Sequence, residues 1–233
     1  MEYIQDKLKH VSSYMSKLLR KKFGRGPESC YAAINNRYLV FYIRGFISPM
    51  EEVLLQEKRS KSVTSARRTI ITSTVEELKG VIQVTFDIEV GSFYHDWNFP
   101  NNSGVIIAAL QHDEQRFVQE TRGEEESVDI EKLEAEVNRI SGLVQKVPNE
   151  TTVHRISPTI YVVLRIGILI PIEKALIAKG FEKELLFTKD ELEKAHFHRS
   201  GQFEQIFRRQ VNDIFVDWNL KEDKGLMCFV LKS

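Results

Sequence analysis

Gly45–Leu54 reads GFISPMEEVL, and Gly167–Leu176 reads GILIPIEKAL, 122 positions further on. Each stretch follows an apolar run, Tyr38–Ile43 in the first case and Ile160–Leu164 in the second. Each then places a proline, with a glutamate two residues later, at the head of an apolar-periodic segment. The pattern predicts a buried strand that turns sharply into a helix. Pro49 and Pro171 fall at the first helical position, where a missing N–H costs nothing. Ser48 and Glu51 add a capping box, in which each satisfies a backbone donor of the other.

The same shift extends outward. Leu8, Val11, Met15 and Leu18 match Ile130, Leu133, Val137 and Ile140, one apolar helical stripe seen twice. Asp96-Trp97-Asn98 matches Asp217-Trp218-Asn219 at a shift of 121, followed by Gly104 with Gly225 and Leu110 with Leu231. A chain of 233 residues therefore divides into two copies of one domain. The expected boundaries are residues 1–115 and 129–233, joined by an acidic linker over 116–128 that carries Glu120 and Glu124-Glu125-Glu126.

With 42% hydrophobic and 28% charged residues, each half has enough apolar surface for a core of its own. The formal net charge is zero, which gives no bulk attraction to nucleic acid or anionic membrane. Cys30 and Cys228 do not occupy matching positions, and two isolated thiols fit a reducing compartment. The start, MEYIQDKLKH, has no apolar signal core. The most apolar run, Ile160–Ile172, is interrupted by Arg165 and is shorter than the roughly 20 residues of a spanning helix. The location expected is cytoplasmic, with no membrane span.

In chain order, residues 4–22 read as an amphipathic helix with basic flanks, closed by Gly24. Gly24–Pro27, GRGP, reads as a structural turn, because no Lys-Ser/Thr follows and the next segment is strand-like. Ser29–Ile34 and Arg37–Ile47 form a hairpin around Asn35-Asn36. Helix Pro49–Glu57, a basic loop over Lys58–Ser65 and helix Ser65–Lys79 with Gly80 as its stop come next. Strict alternation from Ile82 to Val90 predicts a strand over Val81–Val90, and Val105–Leu110 returns after a polar turn. In the second copy, Thr188 and Glu191 suggest a capping box within Phe187–Phe197, and Phe203–Ile214 keeps helical spacing. That copy is therefore expected to have a longer helical part and a shorter third strand. The fold class is α+β: two similar domains, each a mostly antiparallel four-stranded sheet with helices on one face. The halves are expected to pair as an intramolecular pseudo-dimer, with further dimerisation left open.

Few residues announce chemistry. Lys58, Arg59, Lys61, Arg67 and Arg68 make the densest basic patch, and the last two are placed in the first turn of a helix. Lys61, Arg67 and Arg68 are the candidate anion-binding residues, for a phosphate, carboxylate or bicarbonate. His196 and His198 lack partner ligands at metal-site spacing, and no cofactor motif is present. Ser92, His95 and Asp96 invite a triad, but there is no nucleophile elbow. Asp-Trp-Asn in both copies reads as a tryptophan closing a hairpin, with its neighbours bonded to backbone.

Leu18–Leu55, LLRKKFGRGPESCYAAINNRYLVFYIRGFISPMEEVLL, resembles the MpsC-like family of bacterial domains. The amphipathic first helix, the GRGP turn, the hairpin, and Gly45, Pro49, Glu51 and Gly80 carry the likeness, over roughly residues 5–112. The second half departs from it: Lys146-Val147-Pro148 stands where the glycine turn belongs, and the helix–glycine–strand junction is missing. The family's name refers to a Na+-translocating, membrane-potential-generating system, and no catalytic residues carry over. The resemblance implies a binding or regulatory module beside a membrane ion or bicarbonate transport protein. The alternative is a small-anion, nucleotide or nucleic-acid binder using the basic patch, and the least favoured reading is an enzyme with an inter-domain site.

Overall fold

The computed structural model describes residues 2–111 and 128–232. All but the last residue of the expected linker, 116–128, lies outside them. The chain forms two compact units, Met1–Val118 and Gln119–Ser233.

In the first unit, helix α1 (Glu2–Phe23) precedes the hairpin β1 (Ser29–Ile34) and β2 (Tyr38–Arg44). Helices α2 (Pro49–Gln56) and α3 (Ser60–Phe86) follow, then the hairpin β3 (Glu89–Asn98) and β4 (Ser103–Gln111). The second unit repeats the order. Helix α4 (Ile130–Val144) leads to β5 (Glu150–Ser157) and β6 (Ile160–Ile166). Then come α5 (Pro171–Ala178), α6 (Glu182–Ser200), α7 (Phe203–Phe207), β7 (Val211–Asn219) and β8 (Lys224–Leu231). Both sheets are antiparallel and four-stranded, in the order β1-β2-β4-β3 and β5-β6-β8-β7. The α+β class and the two similar halves are as the repeat implies.

The first core joins Val11, Met15 and Leu19 of α1, Leu39 and Phe41 of β2, and the inner stripe of α3. The second joins Leu133, Val137 and Ile140 of α4 to β6, β8 and the helices α6 and α7. Helix α2 opens on the predicted capping box: Glu51 Oε2 accepts from the Ser48 N–H at 2.8 Å and Ser48 Oγ accepts from the Glu51 N–H at 3.4 Å. In α5 half of the box survives, since Glu173 accepts from the Ile170 N–H at 2.9 Å but isoleucine has no acceptor to return.

The strand-to-helix turn is clamped in the same way in both units. Gly45 has φ +65 and Gly167 has φ +70, a conformation that favours glycine. The Gly45 N–H donates to the Asn102 carbonyl, and Asn102 Oδ1 accepts from the N–H groups of Phe46 and Ile47 at 2.8 and 3.0 Å. The Gly167 N–H likewise donates to the Asp223 carbonyl, and Asp223 Oδ1 accepts from the Leu169 N–H at 2.7 Å.

Three expectations need correction. Helix α3 begins at Ser60, inside the segment read as a loop, and runs through Gly80 to Phe86, so the strand expected over Val81–Val90 starts only at Glu89. Ile71, Val75, Leu78, Ile82 and Phe86 are all buried at spacings of three and four, whereas Val84, which alternation would turn inward, is 88% exposed. The helix ends at Asp87, left-handed at φ 56. In the second copy, Thr188 lies inside α6 and its hydroxyl donates to the Glu184 carbonyl, so it caps nothing. Nor are Val211 and Ile214 helical, since they belong to β7, which is nearly as long as β3. Helices α6 and α7 together are α3 broken at Gly201, and the single-residue change of shift falls there. A Cβ on Gly201 would stand 2.2 Å from the Phe203 ring and 2.6 Å from the Phe197 carbonyl.

Candidate functional site

Each unit buries charge at its centre, beneath α2 or α5. In the first unit Arg67, on the inner face of α3, is 1% exposed. Its Nε donates to Glu51 Oε1 at 2.7 Å, and its Nη2 donates to Glu51 Oε2 at 2.9 Å and to the Phe46 carbonyl at 2.8 Å. The guanidinium stacks on Trp97 at 4.3 Å and Phe46 at 4.9 Å, with Phe99 and Phe23 farther out at 5.5 and 5.8 Å. Burial alone would raise the Glu51 pKa, but the bonds and charge of Arg67, with Ser48, outweigh it and hold the carboxyl below its usual range.

Glu51 and Arg67 are 16 positions apart, as are Glu173 and Lys189, their counterparts at a shift of 122. Lys189 Nζ lies 3.1 Å from Glu173 Oε1 and 3.2 Å from Glu193 Oε1, and it donates to Gln145 Oε1. A second pair joins this one. Arg165 of β6 donates through Nη2 to Glu193 Oε2 at 2.7 Å and through Nη1 to Ser141 Oγ at 3.3 Å. Trp218 Nε1 donates to Glu193 Oε1 at 3.1 Å. Arg165 and Glu193 are each 1% exposed, and Arg165 Nε has no hydrogen-bond partner among the described residues. Burial would raise the Glu193 pKa, but the opposing charges of Arg165 and Lys189 and their bonds win and lower it. At the shift of 122, Arg165 and Glu193 stand where the first unit has Ile43 and Ile71, both fully buried.

The structure does not gather the predicted anion-binding residues into one site. Arg67 lies two turns into α3 rather than in its first turn, and its charge is directed into Glu51. Lys61 is exposed and Arg68 half-buried. His95 and Asp96 are neighbours on one strand and project to opposite faces, and Asp96 Oδ1 accepts from the Trp97 N–H. The tryptophan reading holds: Trp97 pairs across the hairpin with Gly104, where a Cβ would come within 2.0 Å of its ring. Trp218 faces Gly225 in the same way. Asn98 and Asn219 accept from the backbone N–H groups of Asn101 and Glu222. The signal for the charged cores lay in the repeat. Extending the shift from Glu51 and Glu173 to Arg67 and Lys189 pairs the cations, and Arg165 stood out as the one charge in an apolar strand.

What these groups do chemically is to neutralise one another. The four charges of the second unit and the two of the first sum to zero, with the carboxylates bonded to the cations on the spot. Among the described residues no three His, Cys, Asp or Glu side chains come close enough to hold a metal ion, and no helix is long and apolar enough to cross a membrane.

Comparison with known families gives one match. The family model described as Na+-translocating membrane potential-generating system (MpsC) matches residues 5–112 and again residues 131–233. No curated protein and no solved structure matches the chain. The chain belongs to the MpsC family, as two copies of its domain in tandem.

Proposed function

We propose that this tandem MpsC protein is a non-enzymatic accessory or regulatory partner of a membrane ion-transport system, working from the cytoplasmic side. The observation that carries the reading is the family match in both halves, since the family is described by a Na+-linked membrane potential. The inward-directed charges support it: the strongest ionic groups bond one another beneath α2 and α5. Cys30 and Cys228 form no disulfide, which fits a reducing location. Burial pushes the Cys30 thiol up to about 12, partly offset by a hydrogen bond from Ser16, so it is not a reactive thiolate.

The test is affinity purification of the tagged full chain from membranes of cells that carry it, solubilised in mild detergent. The expected result is an integral membrane protein retained in stoichiometric amount, with a Na+-dependent membrane potential that falls when the gene is deleted. Absence of both results overturns the reading. The competing reading, an anion site at Lys61, Arg67 and Arg68, is tested by thermal shift with phosphate, bicarbonate and nucleotides. A ligand at a hundred times its Kd stabilises by ~2.7 kcal/mol, and a shift of that kind lost on Arg68→Ala would favour it.

A further inference from the structure

One end of each unit exposes apolar side chains where the first helix finishes and the short helix after the hairpin begins. In the first unit these are Met50, 71% exposed, and Val53, 58% exposed, on α2. In the second they are Leu143 in the last turn of α4, Val147 just after that helix, and Ile172 on α5, which is 65% exposed. Ile172 is the counterpart of Met50 at the shift of 122, and Val147 is the counterpart of Arg25. At each end the close of the first helix meets the turn that leads into the short helix. Phe23 touches Phe46 at 4.9 Å in the first unit, and Gln145 donates to the Ile168 carbonyl and reaches Glu173 in the second.

Exposed apolar groups of this size on short helices gain nothing from the unit's own core. Charge indicates what covers them. In the first unit the last turn of α1 carries exposed Arg20 and Lys21, and Arg25 follows in the GRGP turn. Arg25 Nη1 donates to the Ile47 carbonyl at 3.2 Å, which fixes it beside the start of α2. Arg20 lies across Gly26, where a Cβ would come within 2.9 Å of its Nε. The acidic groups nearby are Glu28, 4.0 Å from Arg25, Glu52 of α2 and Glu77, which takes Lys22 at 2.5 Å, three against the four cations Arg20, Lys21, Lys22 and Arg25. In the second unit Lys146 and Lys174 flank the apolar residues, with Lys174 bonded to Asp223 at 3.0 Å.

Apolar side chains that reach the acyl boundary, ringed by arginine and lysine, are the surface that an anionic bilayer accepts. We propose that this end of the first unit docks on anionic lipid, with Met50 and Val53 entering the interface and Arg20, Lys21 and Arg25 on the headgroups. The inference is independent of a protein partner, because the bilayer alone supplies the binding surface.

Flotation of the full chain with protein-free vesicles tests it, using phosphatidylcholine with and without phosphatidylglycerol. The chain should float with the anionic vesicles only, and less as salt rises. Met50→Ser with Val53→Ser should weaken binding on the order of tenfold. Arg20→Gln, Lys21→Gln and Arg25→Gln together should weaken it on the order of a hundredfold, while Val84→Ser, an exposed apolar control on α3, leaves it unchanged. Unchanged circular dichroism shows that the variants fold. Failure to float with either vesicle, or equal flotation of all variants, overturns the proposal. Vesicle binding with neither a co-purifying membrane protein nor an effect on membrane potential would keep this inference and end the partner reading, and the reverse pattern would do the opposite.

Discussion

The two cores answer one problem differently. In the first unit a single cation, Arg67, is neutralised by Glu51 and wrapped by Trp97 and Phe46, with Ile43 and Ile71 filling the space beside it. In the second unit the cation is Lys189, which has no flat guanidinium to stack. The two isoleucine positions have become Arg165 and Glu193, and the tryptophan donates to Glu193 instead of lying under a guanidinium. The same backbone thus carries a two-charge core and a four-charge core. The difference teaches that these charges are part of the scaffold: they vary as a set that stays neutral and mutually bonded, which a binding site for an external ion would not require.

The largest effects should come from removing one charge of a buried set. Glu193→Ala would leave Arg165 and Lys189 buried together with one carboxylate, and should lower the stability of the second unit by about 3–5 kcal/mol in urea unfolding. Glu51→Ala should cost less within that range, because Arg67 keeps the Phe46 carbonyl and its aromatic neighbours. An equal loss in both units would mean that the extra cation of the second adds no strain.

Acid should separate the units next. The folded pKa of both Glu51 and Glu193 is lowered, so the stability each adds is present above the unfolded carboxylate value of about 4.3 and is lost as pH falls through the folded value. Below that window Glu193 leaves two cations facing each other and Glu51 leaves one. Hydrogen exchange followed from neutral to acid pH should show α6 losing protection before α3, and simultaneous loss would remove the distinction.

How much of this could be read beforehand follows from the same residues. The strand–turn–helix unit, the first hairpin and the tandem repeat were legible because proline, glycine and the capping box act locally. The length of α3 was not, since Ile82, Val84, Phe86 and Ile88 satisfy an alternating pattern, while Ile82 and Phe86 alone continue the helical stripe. Only packing against α1 and the sheet decides that Val84 faces out. The burial of Arg67 was not legible for a related reason: a buried arginine and an exposed one look alike in sequence, and Arg67 is distinguished only by its partner 16 positions away.

Smaller effects sharpen the comparison. Asn102→Ala should cost about 1–3 kcal/mol by leaving the N–H groups of Phe46 and Ile47 without their acceptor, and Asp223→Ala should behave alike in the second unit. Thermal unfolding of the two variants would reveal whether the clamp is equivalent. The smallest effect has opposite signs in the two long helices. Gly80 has open space around it inside α3, so Gly80→Ala should stabilise by about 0.5–1 kcal/mol. Gly201→Ala should destabilise, since Phe203 and the Phe197 carbonyl occupy the place of its Cβ.

The most direct measurement transplants the first core into the second. Arg165→Ile together with Glu193→Ile would leave Lys189 paired with Glu173, as Arg67 is with Glu51. Urea unfolding of the double variant and of each single should show the singles losing about 3–5 kcal/mol and the double matching or exceeding the parent. A double variant as unstable as the sum of the singles would contradict the account and show that the second unit needs its charges for something other than holding each other.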